Sequence, residues 1–279
     1  MSLPSISRMR FIRPIRPIRP IRPIRPIRPI RPILPMRALA LGAAMTAALA
    51  LAAAPDPNQI LQHADQARGG GLPGLTWELR IQNSGARSND DDPPMRLRIQ
   101  AADDASLAET LEPLRSKGSR MLQVDRNMWL TKPGLKKPVP ISPRQRLSGQ
   151  AAIGDIAATN YAREYRATLL REEPVNGEPC YVLQLAANTR QATYDRLLYW
   201  VSTSRGTAVQ AEFQALSGKK LKSAQFEYGN RIESQGRSIP FISRMVISDA
   251  LTDARSILEY GRIVVKAVPA TTFDVSNLE

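Results

Sequence analysis

Strict alternation of apolar and polar residues constrains this chain more than any other feature. Leu75, Trp77, Leu79 and Ile81 alternate with Thr76, Glu78, Arg80 and Gln82, and Met95, Leu97, Ile99 and Ala101 alternate with Arg96, Arg98 and Gln100. Successive side chains of a strand point to opposite faces, so such runs are strands with one wet and one buried face, the antiparallel pattern. Further strands are predicted over 107–111, 120–124, 128–131, 162–170, 180–186, 196–202, 208–215, 221–228, 241–248 and 257–266. Asn176-Gly177 tolerates the positive φ of a type I′ hairpin turn, Ser217-Gly218 joins two strands in the same manner, and Asp125-Arg126-Asn127 forms a tight turn.

Helical signals are few. Asp56-Pro57 supplies a capping acid and a proline at the first helical position. Ile60, Leu61, Ala64 and Ala67 then recur at helical spacing until Gly69-Gly70-Gly71 stops the run. Short helical stretches are also expected over 153–159 and 272–278. About a dozen strands therefore present one apolar face each, with only two or three short helices to cover them. The expected class is α+β, with a single antiparallel sheet curled into an incomplete barrel, its concave side either a cavity or a packed core.

The first 54 residues are a different kind of chain. They hold ten arginines and no lysine, aspartate or glutamate, leaving 29 of the 39 basic residues against all 25 acids. The formal charge of +14 falls to about +4 beyond them, which removes the case for a nucleic-acid partner resting on a basic surface. Residues 1–35 carry seven Ile-Arg-Pro triplets between Ile12 and Pro32. Proline at every third position precludes helix and central strand, so this part is expected to be disordered, and Met36 is an alternative start. Residues 36–54 read as a secretory signal: Arg37, an uncharged Ala- and Leu-rich run, then Ala52-Ala53-Ala54 before Pro55. Export to the periplasm follows, with residues 55–279 as the mature domain. Retention of the segment as an anchor stays open, because Pro55 directly follows the junction.

Catalytic chemistry has little to draw on. His63 is the only histidine and Cys180 the only cysteine, and no phosphate loop, metal-ligand spacing or nucleophile elbow occurs in the mature part. His63 is read as a surface helix residue and Cys180 as a small buried hydrophobe. Asp90-Asp91-Asp92 lacks calcium-loop spacing and is read as a solvated loop. Lys132, Lys136, Lys137, Arg144 and Arg146, with Lys219, Lys220 and Lys222, are read as solvated basic positions. The sharper reading is a docking surface for anionic headgroups. No enzyme activity, metal or cofactor is expected.

Five stretches carry a resemblance. Leu114-Arg115-x-Lys117-Gly118-x-Arg120-Met121-Leu122 is followed by Asn127-Met128-Trp129-Leu130. Then come Glu178-Pro179-Cys180-Tyr181-Val182-Leu183, Tyr194-x-x-x-x-Tyr199-Trp200-Val201 and Ser217-Gly218-Lys219-x-Leu221-Lys222. Over about residues 58–270 the chain resembles the bacterial outer-membrane lipoprotein-sorting proteins of the LolA/LolB-like superfamily. The resemblance implies a half-barrel lidded by helices, acting as a monomeric carrier of lipid or lipoprotein acyl chains and working with an inner-membrane exporter. It implies a lining of Trp77, Leu79, Ile81, Leu97, Ile99, Leu122, Trp129, Trp200, Phe213 and Phe226. The lid would carry Ile60, Leu61, Ile153 and Ile156. Where the group has a Met-Gly-Ser-Asp-Phe-like segment, only Gly154 and Asp155 match here. A sensor or adaptor on the same fold, contacting an inner-membrane protein, is the alternative, and a lipid hydrolase is a further rival.

Overall fold

The central strands bury one face because their apolar residues fall in register with those of their neighbours. The computed structural model describes residues 55–86, 93–102, 104–157 and 160–278. The Ile-Arg-Pro repeat, the export segment 36–54, the Asp90-Asp91-Asp92 run and Thr159 lie outside the described residues. In β1 (Leu75–Ser84), Leu75, Trp77, Leu79 and Ile81 are all almost fully buried, and the residues between them are partly exposed. β2 (Met95–Ala101) places Ile99 opposite Trp77 and Leu97 opposite Leu79. On the other flank β17 (Arg255–Val265) places Tyr260 opposite Leu79 and Leu258 opposite Ile81. Cross-strand apolar pairs of this kind hold the register, because a one-residue slip would turn the whole set to solvent.

The meander continues on both sides. β3 (Ala105–Glu112), β4 (Arg120–Val124), β5 (Asn127–Thr131) and β6 (Val139–Ile141) extend the sheet beyond β2. A tiny ladder of β7 (Arg146–Ser148) and β8 (Ala151–Ala152) precedes two short helices. β9 (Tyr165–Val175), β10 (Glu178–Ala187), β11 (Arg196–Ser202), β12 (Ala208–Gln214) and β13 (Lys220–Glu227) form the other wing. A separate hairpin, β14 (Asn230–Ser234) and β15 (Arg237–Phe241), precedes β16 (Arg244–Asp249), which joins β13 to β17. Thirteen strands thus make one antiparallel sheet in the order β6-β5-β4-β3-β2-β1-β17-β16-β13-β12-β11-β10-β9. Its edges, β6 and β9, do not pair with each other, so it is an incomplete barrel. The Asn176-Gly177 turn has φ of 51° and 83°, as the type I′ reading requires.

Three helices lie over the concave face: α1 (Pro57–Gln66), α2 (Ile153–Ala157) and α3 (Tyr161–Glu164). The stretch 162–164, expected to begin a strand, is helical instead. Asp65 of α1 accepts the Ala162 N–H at 2.8 Å, so this backbone serves the roof and the ladder begins at Tyr165. The stretch expected as one strand over 241–248 is also divided. Phe241 closes β15, and the Ile242 N–H bonds the Ala67 carbonyl at 3.0 Å before β16 begins. C-terminal 3-10 turns, Ala270–Phe273 and Val275–Leu278, pack on the convex side.

The faces differ from expectation at three positions. Leu122 and Trp129 are cross-strand partners on the convex side, where they pack with Phe273 and Leu278. Trp200 is also on that side, beside Cys180 and Val182, and its Nε1 donates to Glu173. Alternation relates residues within a strand but does not say which set points inward. β4 and β11 have apolar residues on both faces, so their inward set is defined only by pairing.

The pairing makes a quantitative prediction. Leu97→Ala, at a site with no exposure, should lower the unfolding free energy by about 2–5 kcal/mol. Val264→Ala on the half-exposed end of β17 should change it by about 0.5 kcal/mol or less. Urea titration measures both, and equal losses would contradict the face assignment.

Candidate functional site

The concave face and its roof form a single apolar body. Trp77, Leu79, Ile81, Leu97, Ile99, Phe213 and Phe226 lie in one cluster with Leu61, Ile153 and Ile156 of the helices, and Ile60 packs against it partly exposed. The structure therefore brings together seven of the ten expected lining residues and all four lid residues. Leu122, Trp129 and Trp200 are outside this cluster.

α1 is a short helix stabilised at its start and seated at its end. The Asp56 side chain accepts the Asn58 N–H at 2.9 Å, and Pro57 occupies the first turn. Leu61 and Ala64 face the sheet with no exposure. One oxygen of Asp65 takes the Ala162 N–H, while Asn58 Oδ1 accepts the Ala167 N–H at 3.2 Å. Gly69 and Gly71, at φ of 101° and 74°, then turn the chain away. Burial pushes the Asp65 carboxyl from 3.8 up to about 7, against the Ala162 hydrogen bond and the Arg68 charge. Burial raises Glu164 in α3 to about 7 as well.

Beneath α1 the apolar face becomes aromatic and polar. The Arg68 guanidinium is buried 4.7 Å from the centre of the Tyr161 ring and 5.7 Å from that of Phe226. Tyr161 packs edge-on to Tyr165 and Tyr199 at 5.4 and 5.6 Å, and burial raises its phenol to about 12. The Tyr199 hydroxyl and the Trp77 Nε1 are buried without a hydrogen-bond partner among the described residues. An unmet buried polar group costs about 1–3 kcal/mol, so these atoms are poorly explained as simple core.

A second seat holds α2. The Asp155 carboxylate receives the Ala152 N–H at 2.8 Å, the Tyr194 hydroxyl at 2.7 Å and Lys222 Nζ at 2.8 Å. Lys222 also donates to the Gln150 carbonyl at 2.7 Å and lies over the rings of Tyr194 and Phe213. Breaking such a buried, hydrogen-bonded pair from one side is costly, because the other charge stays buried. Gly154 permits the approach: a Cβ there would fall 1.9 Å from Thr193 Oγ1. This gives Gly154-Asp155 a physical role, close contact followed by an anchoring charge.

Asp65, Arg68, Asp155, Tyr194 and Lys222 were not among the expected site residues, and Lys222 is buried rather than solvated. A signal did exist for Lys222, which shares the inward register of β13 with Ala224 and Phe226. Asp155 likewise sits alone in an apolar segment. His63 is exposed on α1, as expected, and Cys180 is buried, its thiol raised by burial. No group of side chains that could hold a metal ion occurs among the described residues, and no helix there is long and apolar enough to cross a membrane.

Comparisons place this architecture among known proteins. A LolA superfamily protein from Nitrosomonas europaea is 30% identical, with a TM-score of 0.70 over 79% of this chain and 98% of that one. A protein described as an outer membrane lipoprotein-sorting protein domain, from Vibrio parahaemolyticus, is 18% identical with a TM-score of 0.66, over 80% of this chain and 97% of that one. A DUF1329 family protein from Desulfovibrio piger is 17% identical with a TM-score of 0.67, over 81% and 100%. These last two show likeness of fold alone. A family model described as "Uncharacterized protein" matches residues 102–279. No curated protein sequence matches.

The seat of α1 predicts a pH dependence. A carboxyl raised on folding contributes stability that is complete below pH 3.8 and lost as pH rises through about 7. The stability of the native chain relative to Asp65→Asn should therefore fall by about 2 kcal/mol between pH 5 and pH 8. Chemical denaturation of both at the two pH values measures this, and a constant difference would contradict it.

Proposed function

This chain belongs to the LolA superfamily, and from that premise we propose that it is a non-enzymatic carrier that shelters acyl chains of a lipid or lipoprotein between its concave face and its helical roof. The observation that carries the proposal is the construction of the roof. α1, α2 and α3 make no ladder with the thirteen-stranded sheet; polar bonds fasten them to it through Asn58, which accepts the Ala167 N–H of β9, and Asp155, which holds Lys222 of β13, while Asp65 ties α1 to α3. Such a roof can lift while the sheet stays intact.

Burying acyl chains supplies the affinity, at about 0.8 kcal/mol for each CH₂ removed from water. The unmet hydroxyl of Tyr199, with the Trp77 Nε1, supports an amphiphile over a plain hydrocarbon, since its polar head would satisfy them. Loading and release proceed by movement of the roof, with no covalent step. The export segment at 36–54 supports a periplasmic location, where an inner-membrane exporter would be the donor. The carrier works as a monomer, its apolar face already covered by its own helices.

Native mass spectrometry of the protein isolated from envelopes tests this. The expected spectrum contains a mass adduct that organic solvent removes and that extracts as acyl lipid. A ligand-free spectrum, together with no uptake of a fluorescent fatty acid, would contradict the proposal.

A further inference from the structure

One end of the sheet is built unlike the other. The connections β3–β4, β12–β13 and β16–β17 all leave the antiparallel sheet at the same end. Their tips carry Leu114, Leu216 and Leu251, which are 85%, 69% and 80% exposed. Scattered surface leucines are ordinary, but three on separate loops of one end are not scattered.

A cleft at this end is rich in basic side chains. Of about 340 Å³, it is walled by Arg144, Arg146, Lys219, Lys220 and Lys222, with Leu221 and Leu251 on its rim and Asp249 its single acid. Three of these cations are engaged: Arg144 with Asp195, Lys220 with Glu212 and Lys222 with Asp155. Arg146 and Lys219 form no ion pair among the described residues. Adjoining clefts share its walls. One runs from Arg146 and Leu251 to Arg115 and Arg255, and another from Arg144 to Arg190 and Leu216. Cations and exposed leucines thus share the walls of three adjoining clefts, with Asp249 and Asp195 among them.

We propose that this end docks on an anionic bilayer surface, Leu216 and Leu251 entering the interface while Arg144, Arg146, Lys219 and Lys220 meet lipid phosphates. Positive charge concentrates the protein at an anionic leaflet, and apolar tips between the charges hold it there. A folded acidic partner would use the charges, but it would need a matching pocket for each leucine. A fluid interface accepts separate tips without matched shapes. Docking here does not depend on what the concave face holds, so its failure would leave the carrier reading intact.

Environment-sensitive fluorophores on introduced cysteines test the orientation, since Cys180 is buried. One reporter is Leu251→Cys and the other Ser204→Cys, in the β11–β12 turn at the opposite end. Both are made in the full chain, so any contribution of its arginine-rich N-terminal segment is common to them. With phosphatidylcholine vesicles containing about 30% phosphatidylglycerol, the label at 251 should shift to the blue and that at 204 should not. The shift should vanish on pure phosphatidylcholine and in high salt. Arg146→Glu with Lys219→Glu, added to the 251 reporter, should weaken vesicle binding at least tenfold with an unchanged thermal melt. If that pair fails to fold, Arg146→Gln with Lys219→Gln should still weaken it severalfold. No shift at 251, equal shifts at both positions, or binding indifferent to the neutralised pair would overturn the proposal.

Discussion

A sheet with one apolar face must have that face covered, and the rest of this structure follows from how the covering is done. Thirteen antiparallel strands present a cluster running from Leu97 and Ile99 through Trp77 and Leu79 to Phe213 and Leu183. Curling brings parts of the face toward each other, and three short helices close what remains. Because β6 and β9 stay unpaired with each other, the sheet is not sealed as a barrel, and the covering is a separate part.

A separate roof has to be held by something other than a strand ladder. Leu61, Ile153 and Ile156 supply area, Asn58 and Asp155 bond the helices to the sheet, and Asp65 ties α1 to α3. Both carboxylates are almost wholly buried, yet their environments differ. Asp155 meets a lysine, a phenol and a backbone N–H, a nearly complete set of partners. Asp65 has one oxygen bonded and the other unmet, close to Arg68, and its carboxyl is correspondingly raised. The Asp155 seat thus has the fuller set of partners, and the Asp65 seat keeps one carboxyl oxygen unmet.

Much of this was legible in the residues, and the illegible part has a physical cause. Period-two alternation located the long strands, and Asn176-Gly177 and Asp56-Pro57 marked a hairpin and a helix start through local chemistry. Local patterns fail where partners come from far along the chain. Leu122, Trp129 and Trp200 are apolar residues whose direction depends on register with the next strand. The helical turn at Tyr161–Glu164 exists because an aspartate about a hundred residues earlier takes its N–H. The β14–β15 hairpin was obscured because Phe241 ends one strand three residues before the next begins. Lys222 reads as one more solvated lysine in the sequence, and only the strand face it shares with Phe226 marks it as buried. Its partner Asp155 was readable only as a charge out of place in an apolar segment.

The central claim is that roof and sheet are mechanically distinct, with the roof responding to an acyl ligand. Residue-resolved hydrogen–deuterium exchange, with and without a long-chain phospholipid, tests it most directly. Amides of α1, α2 and α3 should exchange through openings much easier than those of β1 and β17, and lipid should change protection in the helices while leaving the central strands unchanged. Exchange of helices and strands as one cooperative unit, with no response to lipid, would contradict the account.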